Sequence, residues 1–272
     1  MKIIRQKKDL NNLISKVNSF SFVPTMGGLH KGHEILIKKA KKKNKNTFVT
    51  IFVNPKQFNL KSDFNNYPRN LKRDTKLLRK LKVNYLYCPK YKDIFSFKTK
   101  NKIYMHSFSK KLCGKYRPGH FKGVLDVVNR FLELLNPKYI VLGKKDFQQL
   151  TLIKKHIKKN KIKTKVISCE TLRDSNKLPY SSRNLNLNKK KKLFASKVFA
   201  LIRKEKIYIK RKKIKKINFT KLKKRIFDLG IKKIDYIEAI NLNTLNRAYN
   251  YNEKFNIFSA FYINKVRLID NF

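Results

Sequence analysis

Short apolar runs alternate with longer amphipathic segments through the first two thirds of this 272-residue chain, and the alternation limits the folds open to it. Runs typical of buried strands lie at 21–24, 47–53, 83–87, 139–142 and 165–168. Segments with helical periodicity lie between them, at 33–43, 69–81, 121–135 and 147–158. Alternation of this kind predicts an α/β domain, with a parallel sheet covered by helices on both faces.

The pattern changes after about Leu172. A loop with Pro179 is followed by two helical and two extended segments, at 189–204, 219–229, 235–240 and 255–263. Such a mixture predicts a smaller α+β domain. We therefore expect two domains, a larger one over residues 1–171 and a smaller C-terminal one over residues 172–272.

The charge of the chain is strongly positive. It carries 69 Lys and Arg residues against 16 Asp and Glu residues, a formal net charge of +53. Such an excess is typical of nucleic-acid partners, but here the basic runs are spread over several segments, without an RNP-like motif, a GXXG loop or zinc-finger spacing beside them. Lys, Asn, Ile, Phe and Tyr are abundant and Trp is absent, as A- and T-rich codons would give. We interpret the charge mainly as compositional drift on solvated faces, with selected nucleic-acid binding as the less favoured alternative.

Other bulk features favour a cytoplasmic protein. Cys88, Cys113 and Cys169 form no CxxC pair and are too few for a disulfide framework, so reduced thiols are expected. No apolar run approaches the about 20 residues of a membrane span, and residues 1–10 lack a signal-peptide pattern. We expect no membrane partner.

One turn joins the first long predicted strand to the first long predicted helix, and from Pro24 to His33 it reads PTMGGLHKGH. A helix N-terminus presents unpaired N–H groups and a partial positive charge, so it can bind phosphate. Gly32 lets the backbone approach a bulky ligand. His30 and His33 project on one side of the turn and can donate hydrogen bonds to phosphate oxygens. The turn predicts a nucleotide site, whereas HxGH taken alone also fits surface histidines or a chance metal pair.

Further polar clusters follow predicted strands or lie between predicted elements. They are NPKQF at 54–58, YPR at 67–69 with Asp74, RPGHF at 117–121, GKKDFQQ at 143–149 and LPYSSRN at 178–184. Because the carboxyl ends of parallel strands meet at one edge of a sheet, we expect these clusters to form a single cleft.

The side chains in the cleft suit a nucleotide and a small polar acid. Lys145 and Arg183 offer cations for a triphosphate. Carboxylate oxygens for Mg²⁺ or a ribose come from Asp74 and Asp146, and neutral donors and acceptors come from Gln57 and Gln149.

These motifs resemble those of pantothenate synthetases, in the same order and at about the same spacing: PTMGxLHxGH, NPxQF, RPGHF, GxKDFQQL, SSRN and the terminal RLIDN. The likeness covers essentially the whole chain and is dense to about Asn184. It implies the HxGH nucleotidylyltransferase superfamily, a Rossmann-type N-terminal domain, a smaller C-terminal domain and a homodimer. It also implies a two-step reaction, in which the pantoate carboxylate attacks the α-phosphate of Mg·ATP and the amine of β-alanine then attacks the acyl carbon, releasing AMP.

The resemblance also implies roles for individual residues. His33 would be the proton donor, with His30 beside it on the phosphates and Lys145 steadying phosphate charge. The implied ATP-binding residues are Met26, Gly27, Gly28, Leu29, His30, Lys31, Gly32, His33, Gly143, Lys144, Lys145, Asp146, Leu172, Tyr180, Ser181, Ser182 and Arg183, the last four closing over the phosphates as part of a lid.

The remaining implied roles concern the two acids and the metal. Gln57 and Gln149 would hold pantoate, and Gln57 would also face β-alanine. Arg117 and His120 are candidate site residues for which a structural role is the alternative. Asp74 would bind Mg²⁺.

Three positions depart from the family pattern. Lys144 stands where Glu is usual, Pro179-Tyr180 replaces a small and an aliphatic residue, and Arg73 precedes Asp74 where many relatives have a second acid. None removes an implied contact with phosphate or pantoate, so activity is expected. A plain nucleotidylyltransferase acting on a phosphorylated substrate is the alternative within the superfamily, although such a substrate would need more cations near the two glutamines.

Overall fold

The computed structural model describes all 272 residues, which form two compact units. The first comprises Met1–Ser109 and Arg117–Leu172, and the second comprises Lys110–Tyr116 and Arg173–Phe272. The second unit therefore resumes one residue after the start of the expected C-terminal domain, and it takes in a short segment from the middle of the chain. None of the helices has the length and apolar character needed to cross a membrane.

A parallel sheet of six strands forms the first unit, as the alternation predicts. In chain order the strands are β1 (Lys2–Ile4), β2 (Ser21–Thr25), β3 (Thr47–Ile51), β4 (Tyr85–Tyr87), β5 (Tyr139–Gly143) and β6 (Lys165–Cys169), and in space their order is β1-β4-β3-β2-β5-β6. The edge strand β1 was not predicted. It has only three residues, one of them a lysine, and pairs with β4 alone, so it leaves no apolar run to detect.

The helices are α1 (Lys7–Ile14), α2 (Lys31–Lys43), α3 (Lys61–Asn65), α4 (Leu71–Lys80), α5 (Tyr91–Phe95), α6 (Cys113–Tyr116), α7 (His120–Leu135) and α8 (Phe147–Lys159), with α6 in the second unit. The four helices predicted for this part of the chain are confirmed as α2, α4, α7 and α8, to within about two residues at each end.

Helices cover both faces of the sheet. Val23 of β2 packs in one apolar cluster with Ile37 of α2 and Leu78 of α4. Successive side chains of a strand point to opposite faces, and the Phe22 ring lies 5.7 Å from the ring of Phe131 in α7. The two neighbouring residues of one strand thus contact helices on opposite sides.

The middle of the sheet contains a topological switch point. From β2 the chain moves towards β3, and from β5 it moves in the other direction, towards β6, although β2 and β5 are neighbours. Ligands of such sheets bind in the crevice outside the carboxyl ends of the strands at this point. The turn at 26–33 follows β2, and a short 3-10 helix at Lys144–Asp146 follows β5.

The second unit is built from the short α6, two longer helices and a small antiparallel sheet, in agreement with the predicted α+β domain. It contains α9 (Lys189–Arg211), α10 (Thr220–Asp228), β7 (Ile234–Asn241), β8 (Phe255–Ile263) and β9 (Val266–Asn271), with the strands in the order β7-β8-β9. Phe199 and Ile202 of α9 pack with Phe261 of β8 in its core. The helix α9 runs seven residues past the predicted end at 204, because lysines and exposed apolar residues obscure its periodicity there.

Ion pairs connect the last strand to the rest of the second unit. Arg267 Nε donates to Asp235 Oδ2 at 2.7 Å, and Arg173 donates to both oxygens of the buried Asp270, at 2.5 and 3.1 Å. The terminal RLIDN motif therefore anchors both β7 and the start of the loop that leads to SSRN.

Gly123 gives a test of how closely α7 packs in the first unit. Alanine normally stabilises a helix interior by about 1 kcal/mol relative to glycine. Here a Cβ would lie 2.2 Å from the carbonyl oxygen of Lys56 and 2.9 Å from the backbone nitrogen of Gln57. We expect Gly123→Ala to lower the free energy of unfolding by about 1–3 kcal/mol, measured by urea denaturation.

Gly143→Ala is the matched control, because its Cβ would meet only Leu36 Cδ2, at 3.9 Å. A Gly123→Ala protein as stable as the wild type would contradict the close approach of α7 to the 55–57 turn.

Candidate active site

The turn between β2 and α2 has a backbone conformation that requires glycine at two positions. Gly27 and Gly28 have φ angles of 80° and 61°, in the left-handed region that other residues rarely adopt. Thr25 Oγ1 accepts a hydrogen bond from Gly27 N at 3.2 Å, and Asp74 of α4 accepts from Gly28 N and Leu29 N at 2.8 and 2.9 Å. The turn therefore has one backbone path, fixed from two sides.

The side chains of His30 and His33 both accept hydrogen bonds from the backbone at the start of α2. His30 is the N-cap of α2, and its Nδ1 accepts from Gly32 N at 3.1 Å, while His33 Nδ1 accepts from His30 N at 3.3 Å. A neutral imidazole that accepts at Nδ1 carries its proton on Nε2. Both rings, whose centroids are 4.1 Å apart, are thus held in the tautomer that donates through Nε2.

The environment keeps both rings neutral. Burial, with smaller contributions from His33 and Lys145, lowers the pKa of His30 to about 2. For His33, burial and Lys145 lower the pKa to about 4, against the opposing effect of Asp146. Two neutral N–H donors beside a cation suit a group on which negative charge develops.

The residues after β5 place a positive charge near the two histidines. The Lys145 ammonium lies 3.6 Å from Asp146 Oδ1 and is close enough to both histidines to lower their pKa values. Lys144, which departs from the family pattern, forms an ion pair with Glu170 and is more exposed. The structure thus separates the two lysines, with Lys145 facing the histidines and Lys144 facing an exposed acid.

Gln57 lies in the turn after β3 and is held by several groups. Its Nε2 is 2.8 Å from Met26 Sδ, which links it to the β2 turn. Its backbone oxygen accepts from His120 Nδ1 at 2.7 Å and from Arg117 Nη2 at 3.2 Å. Arg117 and His120 thus both contact the backbone of Gln57.

Asn54 was not predicted as part of this arrangement. It is 1% exposed, and its Nδ2 donates to Gln57 Oε1 at 3.3 Å and to the carbonyl of Gly123 at 3.0 Å. Its side chain also caps the 3-10 helix that carries Gln57. The Asn-Pro pair, a common start for a turn, was the available signal.

The two adjacent glutamines of α8 differ in their surroundings. The buried Gln148 donates to the carbonyl of Phe108 at 2.7 Å. Gln149 is only partly buried and forms no hydrogen bond with its side chain inside the chain. Of these two glutamines, only Gln149 therefore has an amide that is not engaged within the chain.

The remaining candidates are divided between the units. Leu172 ends the first unit, three residues after β6, whereas Tyr180, Ser181, Ser182 and Arg183 belong to the second. Within that unit Ser181 caps a short 3-10 helix at Ser182–Asn186, and Asn184 Nδ2 donates to the Pro179 carbonyl at 2.9 Å.

A metal ion would find few protein ligands. The chain has no group of three or more His, Cys, Asp or Glu side chains arranged to hold one. Asp74 is 2% exposed and both its oxygens already accept backbone N–H groups, which favours a role in the turn over the metal ligation expected from the sequence. Asp146 is nearly half exposed beside Lys145, so its carboxylate fits a Mg²⁺ ion that arrives bound to a triphosphate.

The histidine environments predict a loss of stability in acid. Unfolded histidines protonate near pH 6.5, whereas folded His33 remains neutral until about pH 4. The unfolded state then binds more protons in this interval, so the free energy of unfolding falls as pH drops below about 6.5, by up to about 1.4 kcal/mol per unit for each ring. In His33→Asn, urea denaturation should show a shallower fall between about pH 6.5 and 4.5. The buried His156, whose pKa burial also lowers, contributes to the slope in both proteins. Identical slopes would contradict the neutral state of His33.

The chain is similar to known proteins over its whole length. The profile of the family described as pantoate-beta-alanine ligase matches residues 2–272. The pantothenate synthetase of Francisella philomiragia is 42% identical over 272 residues, covering 100% of this chain and 95% of that protein. The corresponding protein of Francisella tularensis subsp. novicida is 41% identical over 273 residues, with coverage of 99% and 95%.

Solved structures are similar over the whole length. A Francisella tularensis pantoate-beta-alanine ligase, crystallised with beta-gamma ATP and beta-alanine, matches with a TM-score of 0.85 and 38% identity, covering 100% of this chain and 97% of that one. Thermus thermophilus pantothenate synthetase matches with a TM-score of 0.92 and 26% identity, with coverage of 100% and 99%. By sequence along its whole length and by fold, the chain belongs to the pantoate-β-alanine ligase family.

Proposed function

We propose that the chain joins pantoate to β-alanine at the expense of ATP, through a pantoyl adenylate, and releases AMP and pyrophosphate. The observation that carries the proposal is the pair of Nε2–H donors on His30 and His33, beside Lys145 at the switch point of the sheet. The proposal is supported by the family match over the whole chain and by the ATP and β-alanine bound in a relative.

In the first step, charge builds up on the phosphates as pyrophosphate leaves. His30 and His33, neutral in the chain without ligand, would donate hydrogen bonds to that charge, and the Lys145 ammonium would add electrostatic stabilisation. The resemblance implied a proton donor at His33. The low pKa of its ring favours hydrogen-bond donation over transfer of a proton.

Magnesium would accompany the triphosphate. We propose that Asp146 supplies the protein oxygen nearest to it, and that the ion would neutralise phosphate charge. The backbone from Gly143 to Asp146 would contact the nucleotide.

We propose that Gln57 and Gln149 bind the two substrates that carry a carboxylate, pantoate and β-alanine. Gln57, held by Asn54 and His120, and the partly exposed Gln149 would orient pantoate, and Gln57 would also face β-alanine. Since pantoate attacks ATP and β-alanine attacks the pantoyl adenylate, the protein contributes position and charge and needs no nucleophile of its own.

Three further proposals concern parts that lie beyond this cluster. Leu172 would touch ATP through its backbone, and the residues from Tyr180 to Arg183 would close over the phosphates during turnover. We also propose a homodimer, testable by light scattering, and a cytoplasmic location.

Pantoate-dependent exchange of labelled pyrophosphate into ATP separates this proposal from its alternatives. A nucleotidylyltransferase for phosphorylated acceptors would show no dependence on pantoate, and a nucleic-acid-binding protein without catalysis would show no exchange. In this proposal neutral glutamines bind the carboxylic acid. A phosphorylated acceptor would instead need cationic side chains at these positions.

His33 gives the first activity test. His33→Ala removes both the Nδ1 acceptor and the Nε2–H donor. We expect kcat for AMP formation to fall by roughly 100-fold or more, as for other electrostatic contacts in a transition state. Turnover near that of the wild type would remove His33 from the mechanism.

Lys145 gives the second test. Lys145→Met keeps much of the side-chain volume and removes the charge, and we expect kcat/KM for ATP to fall by roughly 100-fold. Lys155→Met is the control, because Lys155 is exposed on α8 and its loss makes the same change in net charge. Equal losses in both variants would mean that overall charge, and not the position of Lys145, attracts the nucleotide.

A further inference from the structure

Asp74 connects the N-terminal turn of α4 to the turn that begins the site. Its Oδ2 accepts from Gly28 N at 2.8 Å and its Oδ1 accepts from Leu29 N at 2.9 Å, so one carboxylate holds two consecutive amides. The carboxylate is 2% exposed. These bonds span 45 and 46 residues of sequence and join two elements that no strand pairing connects.

The carboxylate holds the turn where the turn borders a cavity. Met26 and Gly27 line a cavity of about 400 Å³, so close-packed side chains are missing there. A Cβ on Gly27 would have only Asp74 Oδ2 and Ile51 Cγ2 within 4 Å, at 3.1 and 3.2 Å. Two successive glycines also leave the backbone many conformations when it is not held.

Asp74 itself is firmly placed. Asn70 caps α4 by accepting from Arg73 N at 2.9 Å, and Asp74 N donates to the Asn70 carbonyl at 3.0 Å. One turn later Leu78 is fully buried in the core against the sheet. The helix α4 is thus a rigid support from which the carboxylate reaches the turn.

The carboxylate also decides which donors face a ligand. Because Gly28 N–H and Leu29 N–H point to Asp74, the phosphate-binding side of the turn is left with the start of α2 and the two imidazoles. A displacement of the Gly28-Leu29 peptide would carry His30, the N-cap, with it, and His33 N–H and ring would follow through their contacts with His30.

We propose that Asp74 is a positioning residue for the phosphate site, which sets the place of His30 and His33 by holding Gly28 and Leu29, and that it is not a metal ligand. The inference rests on the proposed function of the turn as the ATP phosphate site. Its consequence is specific: ATP binding and adenylation should depend on Asp74, and the later use of β-alanine should not.

Asp74→Asn tests this with minimal change in shape. The amide has one acceptor oxygen, and its NH₂ group would face one of the two backbone N–H donors, leaving that donor unpaired. We expect KM for ATP to rise by roughly 10-fold and kcat to fall by a similar factor, with KM for β-alanine within about twofold of the wild-type value. Rates are measured at saturating pantoate, at a temperature well below the melting point of the variant.

Asp93→Asn is the matched control. Asp93 of α5 also accepts a backbone N–H near a helix N-terminus, from Lys90 N at 2.8 Å, but it accepts no hydrogen bond from the turn. We expect its kinetic constants to equal those of the wild type. An Asp74→Asn protein whose KM for ATP is unchanged, and whose kcat falls only in proportion to its folded fraction, would overturn the proposal in favour of a purely structural role.

Magnesium titration separates the positioning role from the metal role. If Asp74 were a ligand, the apparent Mg²⁺ requirement of Asp74→Asn at fixed ATP would rise, and excess Mg²⁺ would restore its rate. We expect neither effect.

A measurement on the wild type keeps the proposal testable if the variant does not fold. Hydrogen exchange at the Gly28 and Leu29 amides should be slow, and exchange as fast as that of an open loop would overturn the proposal. An inactive wild type, by contrast, would count against the proposed function and not against these two hydrogen bonds.

Discussion

The place of α2 relative to the strand before it determines almost everything that the site can do. Its N-terminus lies at the switch point, where β2 and β5 are neighbours and the chain departs from them in opposite directions. Backbone N–H groups at this helix start donate to Nδ1 of His30 and of His33. The helix dipole, the two rings and the loop after β5 therefore act on one small volume, and a phosphate group fits the combination better than any neutral ligand.

Neutral histidines are the unexpected part of that arrangement. In a chain with a net charge of +53 a protonated pair would add to the repulsion, and burial beside Lys145 keeps both rings uncharged. Donation from Nε2 needs no positive charge on the ring, because the Nδ1 contacts already select the tautomer. The fold thus obtains two directed donors and one fixed cation, where three cations would have repelled one another.

Much of this was predictable from the sequence, for physical reasons that differ between parts. Buried strands such as β3 and β5 are near-continuous apolar runs, and α2, α4, α7 and α8 show clear periodicity, so the doubly covered sheet is confirmed. The turn after β2 is also visible in the sequence, since the two glycines at 27 and 28 adopt positive φ angles that other residues rarely adopt. Prediction failed where the determinant was not local. The three-residue β1 exists because β4 is beside it, and the segment 110–116 joins the second unit through contacts such as Cys113 Sγ with Tyr236 Oη.

The same limit applies to single side chains. Nothing in the neighbourhood of Asp74 along the chain distinguishes a metal ligand from a residue that accepts hydrogen bonds from two amides 45 and 46 positions away, since both need a carboxylate. Asn54 looked like part of a turn, and its contact with Gln57 and Gly123 requires α7 to be in place. Lys144 and Lys145 are adjacent and chemically identical, and only the path of the chain after β5 gives them different neighbours.

The few acidic residues explain how so basic a chain keeps a defined structure. Five of the 16 form ion pairs or accept several hydrogen bonds: Asp235 with Arg267, Asp270 with Arg173, Asp126 with Arg130, Glu133 with three amide groups, and Asp74 with the site turn. Lysines, by comparison, lie mostly on exposed positions, where salt screens their repulsion within about 8–10 Å. Lysine is therefore tolerable at such surface positions, whereas the packing and the site depend on these carboxylates.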